Sequence, residues 1–313
     1  MFHVKHLWES DLSNLLSVLI VSRETINWRF RMGKIIAVCN QKGGTGKTTT
    51  TVNLSAALSD LGKKVLVVDI DPQGNATSGV GINKNELDLS VYDVLLGRVD
   101  VKEVVVLGSS GVDVVPCNIN LTGAEVELVG AFSRETRLKK SLEAVRESYD
   151  YVFIDSPPSL GLLTLNSLVA SDSVLIPIQC EFYALEGVSQ LVNTLDLIKE
   201  GLNPCLQIEG ALLTMADYRT NLTTEVISEI RNYFKDYVYD TVIPRNVRLS
   251  EAPSHGKSIS QYDRSSIGAI KYKELAEEML RKTGLDGNVL KGKDLENSRF
   301  GVGGESASVS ENN

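Results

Sequence analysis

The sequence predicts a doubly wound α/β domain with a mainly parallel sheet, and three observations carry that expectation. Short apolar runs alternate with helix-like segments along the chain. The runs are continuously apolar rather than alternating, as strands are when helices cover both faces of their sheet. A glycine-rich loop joins the first run to the first helix, and aspartates close two later runs, at the edge where open parallel sheets bind ligands.

In chain order, the apolar runs read as strands are Ile35–Cys39, Val65–Asp69, Val112–Val115, Tyr151–Ile154, Ser173–Ile178, Ile208–Leu213 and Val238–Val242. Each is of strand length, and several are β-branched. The clearest helical patterns are Lys47–Leu61, Arg134–Tyr149, Leu185–Glu200, Thr223–Tyr233 and Gly268–Lys282. No internal repeat of fixed period is visible. One domain is expected over about residues 32–283. Residues 284–313 are rich in Gly, Ser, Asn and charge, bury too little apolar surface to offset their ordering entropy, and are expected to form a disordered tail. Residues 1–31 form an extension in which Leu12, Leu15, Leu16, Leu19 and Ile20 make a helical stripe. Glu9 and Asp11 precede that run and no small-residue cleavage site follows, which argues against a signal peptide.

With 313 residues, 42% hydrophobic and 23% charged, the composition is that of a globular protein. No apolar run approaches the ~20 residues that span a bilayer. Cys39, Cys117, Cys180 and Cys205 are widely spaced without a C-x-x-C pair, which excludes a zinc ribbon or a disulfide scaffold and suits a reducing cytosol. The net charge of −8 speaks against a generally basic nucleic-acid binder.

The loop after the first strand reads Asn40-Gln41-Lys42-Gly43-Gly44-Thr45-Gly46-Lys47-Thr48-Thr49. Glycines in a strand–loop–helix context let several backbone N–H groups converge on phosphate oxygens, and the helix start adds its positive dipole end. Lys47 is then expected against the β and γ phosphates and Thr48 on Mg²⁺. A plain glycine turn leaves the Lys-Thr pair at the helix start unexplained. Strand 65–69 runs into Asp69-Ile70-Asp71-Pro72 and strand 151–154 into Asp155-Ser156-Pro157-Pro158. Aspartate before proline is common in turns, but three such carboxylates after suitably ordered strands fit one Mg²⁺-nucleotide site, since magnesium needs few carboxylates.

The general phosphate-loop pattern places a glycine where this chain has Gln41, and a second lysine, Lys42, follows. The form K-G-G-x-G-K-T-T resembles the deviant Walker A motif of the ParA/MinD family of P-loop NTPases. The resemblance implies that Lys42 reaches the phosphates of a partner subunit, so that ATP is sandwiched in a homodimer, and that Gly43, Gly44, Thr45, Gly46, Lys47, Thr48 and Thr49 bind the nucleotide. It makes Asp155 the Walker B carboxylate, Asp71 the residue that orients the attacking water, and Asp69 a support of the metal shell beside Thr48. Lys42, Lys47 and Asp71 are thus the expected catalytic group. No arginine finger is evident, which implies weak basal turnover accelerated by a partner.

Four blocks, DIDPQGNATSGVG (69–81), IDSPPSLGLL (154–163), PIQCEFYAL (177–185) and VIPRNVRLSEAPSHGKS (242–258), narrow the resemblance to the chromosomal ParA (Soj) group, over residues 32 to about 282. That group implies ATP-dependent dimers that coat double-stranded DNA non-specifically, and stimulation by a ParB-type protein. It also implies a cytoplasmic, nucleoid-associated location. Pro244, Arg245 and Asn246 resemble the segment that packs on adenine. Arg219 and Arg248 match arginines that hold DNA phosphates, and Glu181 and Tyr183 lie in the block associated with the dimer interface.

The net charge does not contradict this. Residues 215–283 hold 11 Lys/Arg and 10 Asp/Glu, whereas residues 32–214 hold 14 and 22, so the acidity lies outside the stretch carrying those arginines. Phosphate contact needs a local patch, not a basic chain. A MinD-like membrane role would need a basic amphipathic C-terminal helix, which the polar tail lacks. The nitrogenase iron-protein branch would need cluster cysteines, and metabolic enzymes such as dethiobiotin synthetase a small-substrate pocket that these motifs do not indicate. The peptide Met1–His6 can be encoded by ATG TTT CAC GTG AAA CAY, which contains the inverted repeat TGTTTCACGTGAAACA and resembles a parS site. Met32 is therefore the expected start, with a helix that docks on ParB or membrane as the rival reading of residues 1–31.

Overall fold

The computed structural model describes residues 32–182 and 184–283; the 1–31 extension, the 284–313 tail and Tyr183 lie outside the described residues. Seven strands form one sheet: β1 (Lys34–Val38), β2 (Val65–Asp69), β3 (Val106–Leu107), β4 (Asp113–Val115), β5 (Tyr151–Asp155), β6 (Ser173–Gln179) and β7 (Gln207–Thr214). Their order is β3-β4-β2-β5-β1-β6-β7. All pairs are parallel except β3 with β4, so the doubly wound expectation holds with one short antiparallel edge. Register matters for function. Val38 and Asp69 both stand opposite Asp155, so the loop after β1 and both strand-terminal aspartates reach the same edge at the same level.

The strands alternate between two apolar layers, as a sheet buried on both faces requires. Ile36, Val38, Val65, Val67, Tyr151 and Phe153 pack with α1 (Lys47–Asp60) and with α12 (Ile267–Lys282), the last helix described. Leu66, Val68, Val152 and Ile154 face the opposite layer, built from α3 (Val91–Leu96), α5 (Leu121–Leu128) and α6 (Arg137–Glu143). Beyond β1 the same layer continues through α8 (Ala184–Gly201) and α9 (Asn221–Phe234). The remaining helices are short: α2 (Asn75–Gly79), α4 (Val101–Val104), α7 (Leu162–Ala170), α10 (Val247–Glu251) and α11 (Ile259–Tyr262).

Two expected elements differ. The helical run 134–149 is a 3-10 turn, α6 and a second 3-10 turn. Buried Asn166 enters from α7, accepting from Leu138 N at 3.2 Å and donating to Arg134 O at 2.8 Å, so the α-helix starts only at Arg137. The run 238–242 is not a strand but an extended segment joined to β7 by an isolated bridge between Ala211 and Val238. Its Asp240 and Thr241 N–H groups donate to the buried carboxylate of Glu278, at 2.8 and 3.0 Å, instead of to a neighbouring strand. Two glycines join distant segments: a Cβ on Gly256 (φ 62°), beyond α10, would lie 2.7 Å from the Cα of Gly81 (φ 84°), just beyond α2. Neither position has room for a side chain.

Candidate active site

β1 delivers the chain into the loop 40–46, which other elements hold from beneath. Asn40 accepts from Lys42 N at 3.0 Å and donates to Pro177 O on β6 at 2.7 Å. Thr214, at the end of β7, donates to Thr45 O at 2.8 Å. Gly44 and Gly46 have φ of 75° and 89°, where a side chain is strained. A Cβ on Gly43 or Gly44 would meet nothing within 4 Å, so the loop backbone faces open space. Lys47 is 7% exposed, its Nζ 3.4 Å from Lys42 O; burial lowers its pKa, opposed chiefly by the charge of Asp155.

Thr48 Oγ1 donates to Asp155 Oδ2 at 2.7 Å, across 107 residues of chain. Thr51, on the same face of α1, lies 3.0 Å from Asp155 Oδ1 and 3.1 Å from Lys47 O. Burial, then the neighbouring charge of Asp69, raises the pKa of Asp155. Asp69 is fully buried behind this pair and is likewise raised by burial. Both its oxygens are engaged: Oδ2 accepts from Thr77 N (2.8 Å) and Oγ1 (2.7 Å), and Oδ1 from Asp71 N (3.2 Å). Asp71 is 8% exposed and accepts from Gln73 N at 2.9 Å. Among the described residues no group of three or more His, Cys, Asp or Glu has metal-holding geometry. One hydroxyl and one carboxylate, as at Thr48 and Asp155, nevertheless fit magnesium, which keeps several waters and takes phosphate oxygens.

The other expected residues lie around this edge or beyond it. Lys42 does not turn to the loop; its Nζ pairs with Glu181 Oε2 at 2.9 Å, and Glu181 also accepts from Gln179. Pro244 bridges to Ala216 and Arg245 N donates to Ala216 O at 3.0 Å, so this segment runs along the strand end that holds Thr45. Asn246 caps α10 by accepting from Arg248 N at 2.8 Å. Arg219 is 84% exposed and chelated by Asp217 at 2.5 and 2.7 Å. Arg248 is 54% exposed and pairs with Glu251 at 2.8 Å and, longer, with Asp263 at 3.7 Å. The expected basic patch thus consists of arginines already paired with local carboxylates. All four cysteines are free. A cavity of about 510 Å³, lined by Leu162, Leu165, Leu168, Leu197 and Ile198 among others, contains none of the phosphate-loop residues or aspartates.

A family profile described as an AAA domain matches residues 33–208. The sporulation initiation inhibitor protein Soj of Bacillus subtilis (strain 168) is 61% identical over 249 residues, 79% of this chain and 98% of that protein. The chromosome partitioning protein ParA of Myxococcus xanthus is 52% identical over 252 residues, 80% of this chain and 89% of its own. The chain belongs to the ParA/Soj family of chromosome-partitioning ATPases. A crystal structure from Mycobacterium smegmatis, described as cobyrinic acid a,c-diamide synthase with bound ATP analog and magnesium, is 38% identical with a TM-score of 0.72, covering 82% of this chain and 97% of that one. Its biosynthetic description does not redirect the assignment, because the partitioning proteins are more similar over nearly the same span.

Within this ParA-family chain, motif reading missed Asn40, Thr51, Thr77, Cys117 and Thr214. Thr51 had a signal, one helical turn beyond Thr48. Cys117 and Thr214 had none, because each reaches its partner only through the folded sheet.

Proposed function

We propose that this chain is a Mg²⁺-dependent ATPase of DNA partition. Its ATP-bound form is a homodimer that binds double-stranded DNA without sequence preference and is released when a ParB-type protein stimulates hydrolysis. The observation that carries the reading is the Thr48–Asp155 hydrogen bond of 2.7 Å at the end of an open glycine loop. It brings together the hydroxyl and the carboxylate that a metal-bound triphosphate requires. Gly43, Gly44, Thr45, Gly46 and Thr49 offer backbone to the phosphates, Lys47 neutralises their charge, and Pro244, Arg245 and Asn246 flank the base. Magnesium, when bound, offsets charge on the β and γ phosphates. Asp71 orients the attacking water, while Asp69 fixes the Asp71 backbone and stands behind the metal shell.

Lys42 is the group that connects two copies. It is held by Glu181 outside its own loop, so it is available to exchange that carboxylate for a phosphate of the partner subunit. Arg219 and Arg248 make the same kind of exchange with DNA, whose phosphates replace Asp217 and Glu251. Binding of this kind is salt-dependent and places the protein on the nucleoid in the cytoplasm. Among the described residues no helix is long and apolar enough to cross a membrane.

DNA co-sedimentation with ATP, ADP and no nucleotide tests the reading in one experiment. Retention only with ATP is expected. Equal retention in all three conditions, or none in any, would overturn the DNA-partition assignment.

A further inference from the structure

Asp71 is gripped by side chains that the phosphate-loop motif does not contain. Its N–H donates to Asp69 Oδ1 at 3.2 Å, and its carbonyl lies 3.1 Å from Cys117 Sγ, whose thiol also faces Asn118 O at 3.3 Å. Cys117 follows β4, 46 residues from Asp71 along the chain. Its own N–H donates to Thr77 Oγ1 at 2.9 Å, and that hydroxyl donates on to Asp69 Oδ2 at 2.7 Å. Asp71, Asp69, Thr77 and Cys117 therefore close a ring of hydrogen bonds drawn from three segments. Asp69, Thr77 and Cys117 are wholly buried, where such bonds are strong and an unmade one is costly.

The ring constrains chemistry at each corner. Position 77 must accept from one neighbour and donate to another, which a hydroxyl does and a methyl cannot. Position 117 must bring a small donor to a main-chain carbonyl. Burial raises the pKa of the Cys117 thiol, with the charges of Asp69 and Asp71 adding to it, so the thiol stays protonated and the donor is kept. The Thr77 and Cys117 side chains hydrogen-bond neither to the loop 40–46 nor to the Thr48–Asp155 pair; Cys117 reaches the main chain of Asp71 directly, and Thr77 reaches it through Asp69.

We propose that Thr77 and Cys117 are positioning residues for hydrolysis, Cys117 holding the Asp71 carbonyl directly and Thr77 holding the Asp71 N–H through Asp69, so that the Asp71 carboxylate is presented in one place. This rests on the proposed role of Asp71. A displacement near 1 Å at a reacting group costs about 100-fold in rate, so the grip should govern turnover while leaving nucleotide affinity alone.

The test is single-turnover phosphate release by the full chain with Mg²⁺ and ATP, beside the affinity for a fluorescent ATP analogue and the melting midpoint. Thr77→Val should slow turnover by roughly 10- to 100-fold with ATP affinity within about twofold. Thr77→Ser, which keeps both hydrogen bonds, should recover most of the rate. Cys117→Ala deletes one bond and little volume, so it keeps the test open if Thr77→Val does not fold; it should slow turnover by about 3- to 10-fold, with Cys117→Ser near wild type. In an Asp71→Ala background, Thr77→Val should add nothing. Wild-type turnover in Thr77→Val and Cys117→Ala alongside a dead Asp71→Ala would overturn the grip and leave Asp71 standing. Normal turnover in Asp71→Ala would overturn the underlying reading. Equal losses of affinity and rate, without recovery by serine, would mark the ring as scaffold only and overturn the proposal.

Discussion

The phosphate-loop edge and the arginine-bearing surface of this molecule are organised on opposite terms. At the edge, half-buried Thr48 is tied to Asp155 across 107 residues and buried Asn40 to Pro177 across 137, while the wholly buried Asp69 is fixed by Thr77 eight residues on. On the surface, Arg219 and Arg248 are exposed and tied to near neighbours, Asp217 two positions before and Glu251 three positions after. Buried charges demand full pairing and fixed geometry, which suits a site that must present groups in one arrangement. Exposed ion pairs contribute little, which would suit the proposed exchange of those carboxylates for DNA phosphates. The two regions also differ in how mutation should act on them.

The largest effect is expected inside the edge. Asp71→Ala should lose about 100-fold or more in hydrolysis while ATP binding and dimerisation persist, checked by phosphate release and by size-exclusion chromatography with ATP. Arg248→Glu comes next: DNA retention should disappear near physiological salt while ATP-dependent dimerisation survives. In Arg248→Gln the slope of log affinity against log salt should fall by about one. Unchanged salt-sensitive binding would remove Arg248 from the DNA surface and erase the contrast between the regions.

A smaller effect is expected at Glu278, the buried anchor beneath the surface region. Burial opposes its ionisation, but the N–H groups of Asp240 and Thr241 and the charge of Lys282 together hold its pKa below the ordinary glutamate value. Glu278→Gln should cost about 2 kcal/mol, visible as a lower melting midpoint. Because the folded pKa is depressed, that advantage is present above the unfolded value near 4.3 and fades as pH falls through the folded value. The midpoints of mutant and wild type should therefore converge in acid. The smallest effect is at Arg219, where Gln should leave the midpoint unchanged and lower only DNA retention. A clear loss of stability there would show that the surface pairs are structural after all.

How much of this could be read in the sequence follows the same division. The phosphate loop is legible because its chemistry needs consecutive backbone groups, so glycines and the Lys47–Thr48 pair fall in one string. Asp155 is legible because it ends a strand, although its level with Thr48 depends on β5 lying beside β1. The strand order and the antiparallel β3 were not legible. Nor was the break at Arg134–Thr136, because an asparagine from α7 decides it. The apolar run at 238–242 looked like a strand because pattern records burial, whereas its Asp240 and Thr241 N–H groups turn to Glu278. Cys117 looked like an isolated cysteine, since Thr77 and Asp71, which it joins, lie 40 and 46 residues away.

The contact between Gly81 and Gly256 ties these two regions into a single inheritance unit. One lies just past the Asp71 loop and α2, the other eight residues beyond Arg248, and neither tolerates even a methyl group without its counterpart giving way. Asn53 of α1 adds a second tie, donating to Thr49 O at 2.8 Å and accepting from Ile259 N at 2.7 Å. Anyone grafting the arginine segment of another partitioning protein onto this chain would have to carry residues 74–81 with it as one cassette. The same constraint would hold natural variation at these positions in step, although 175 residues separate them along the chain.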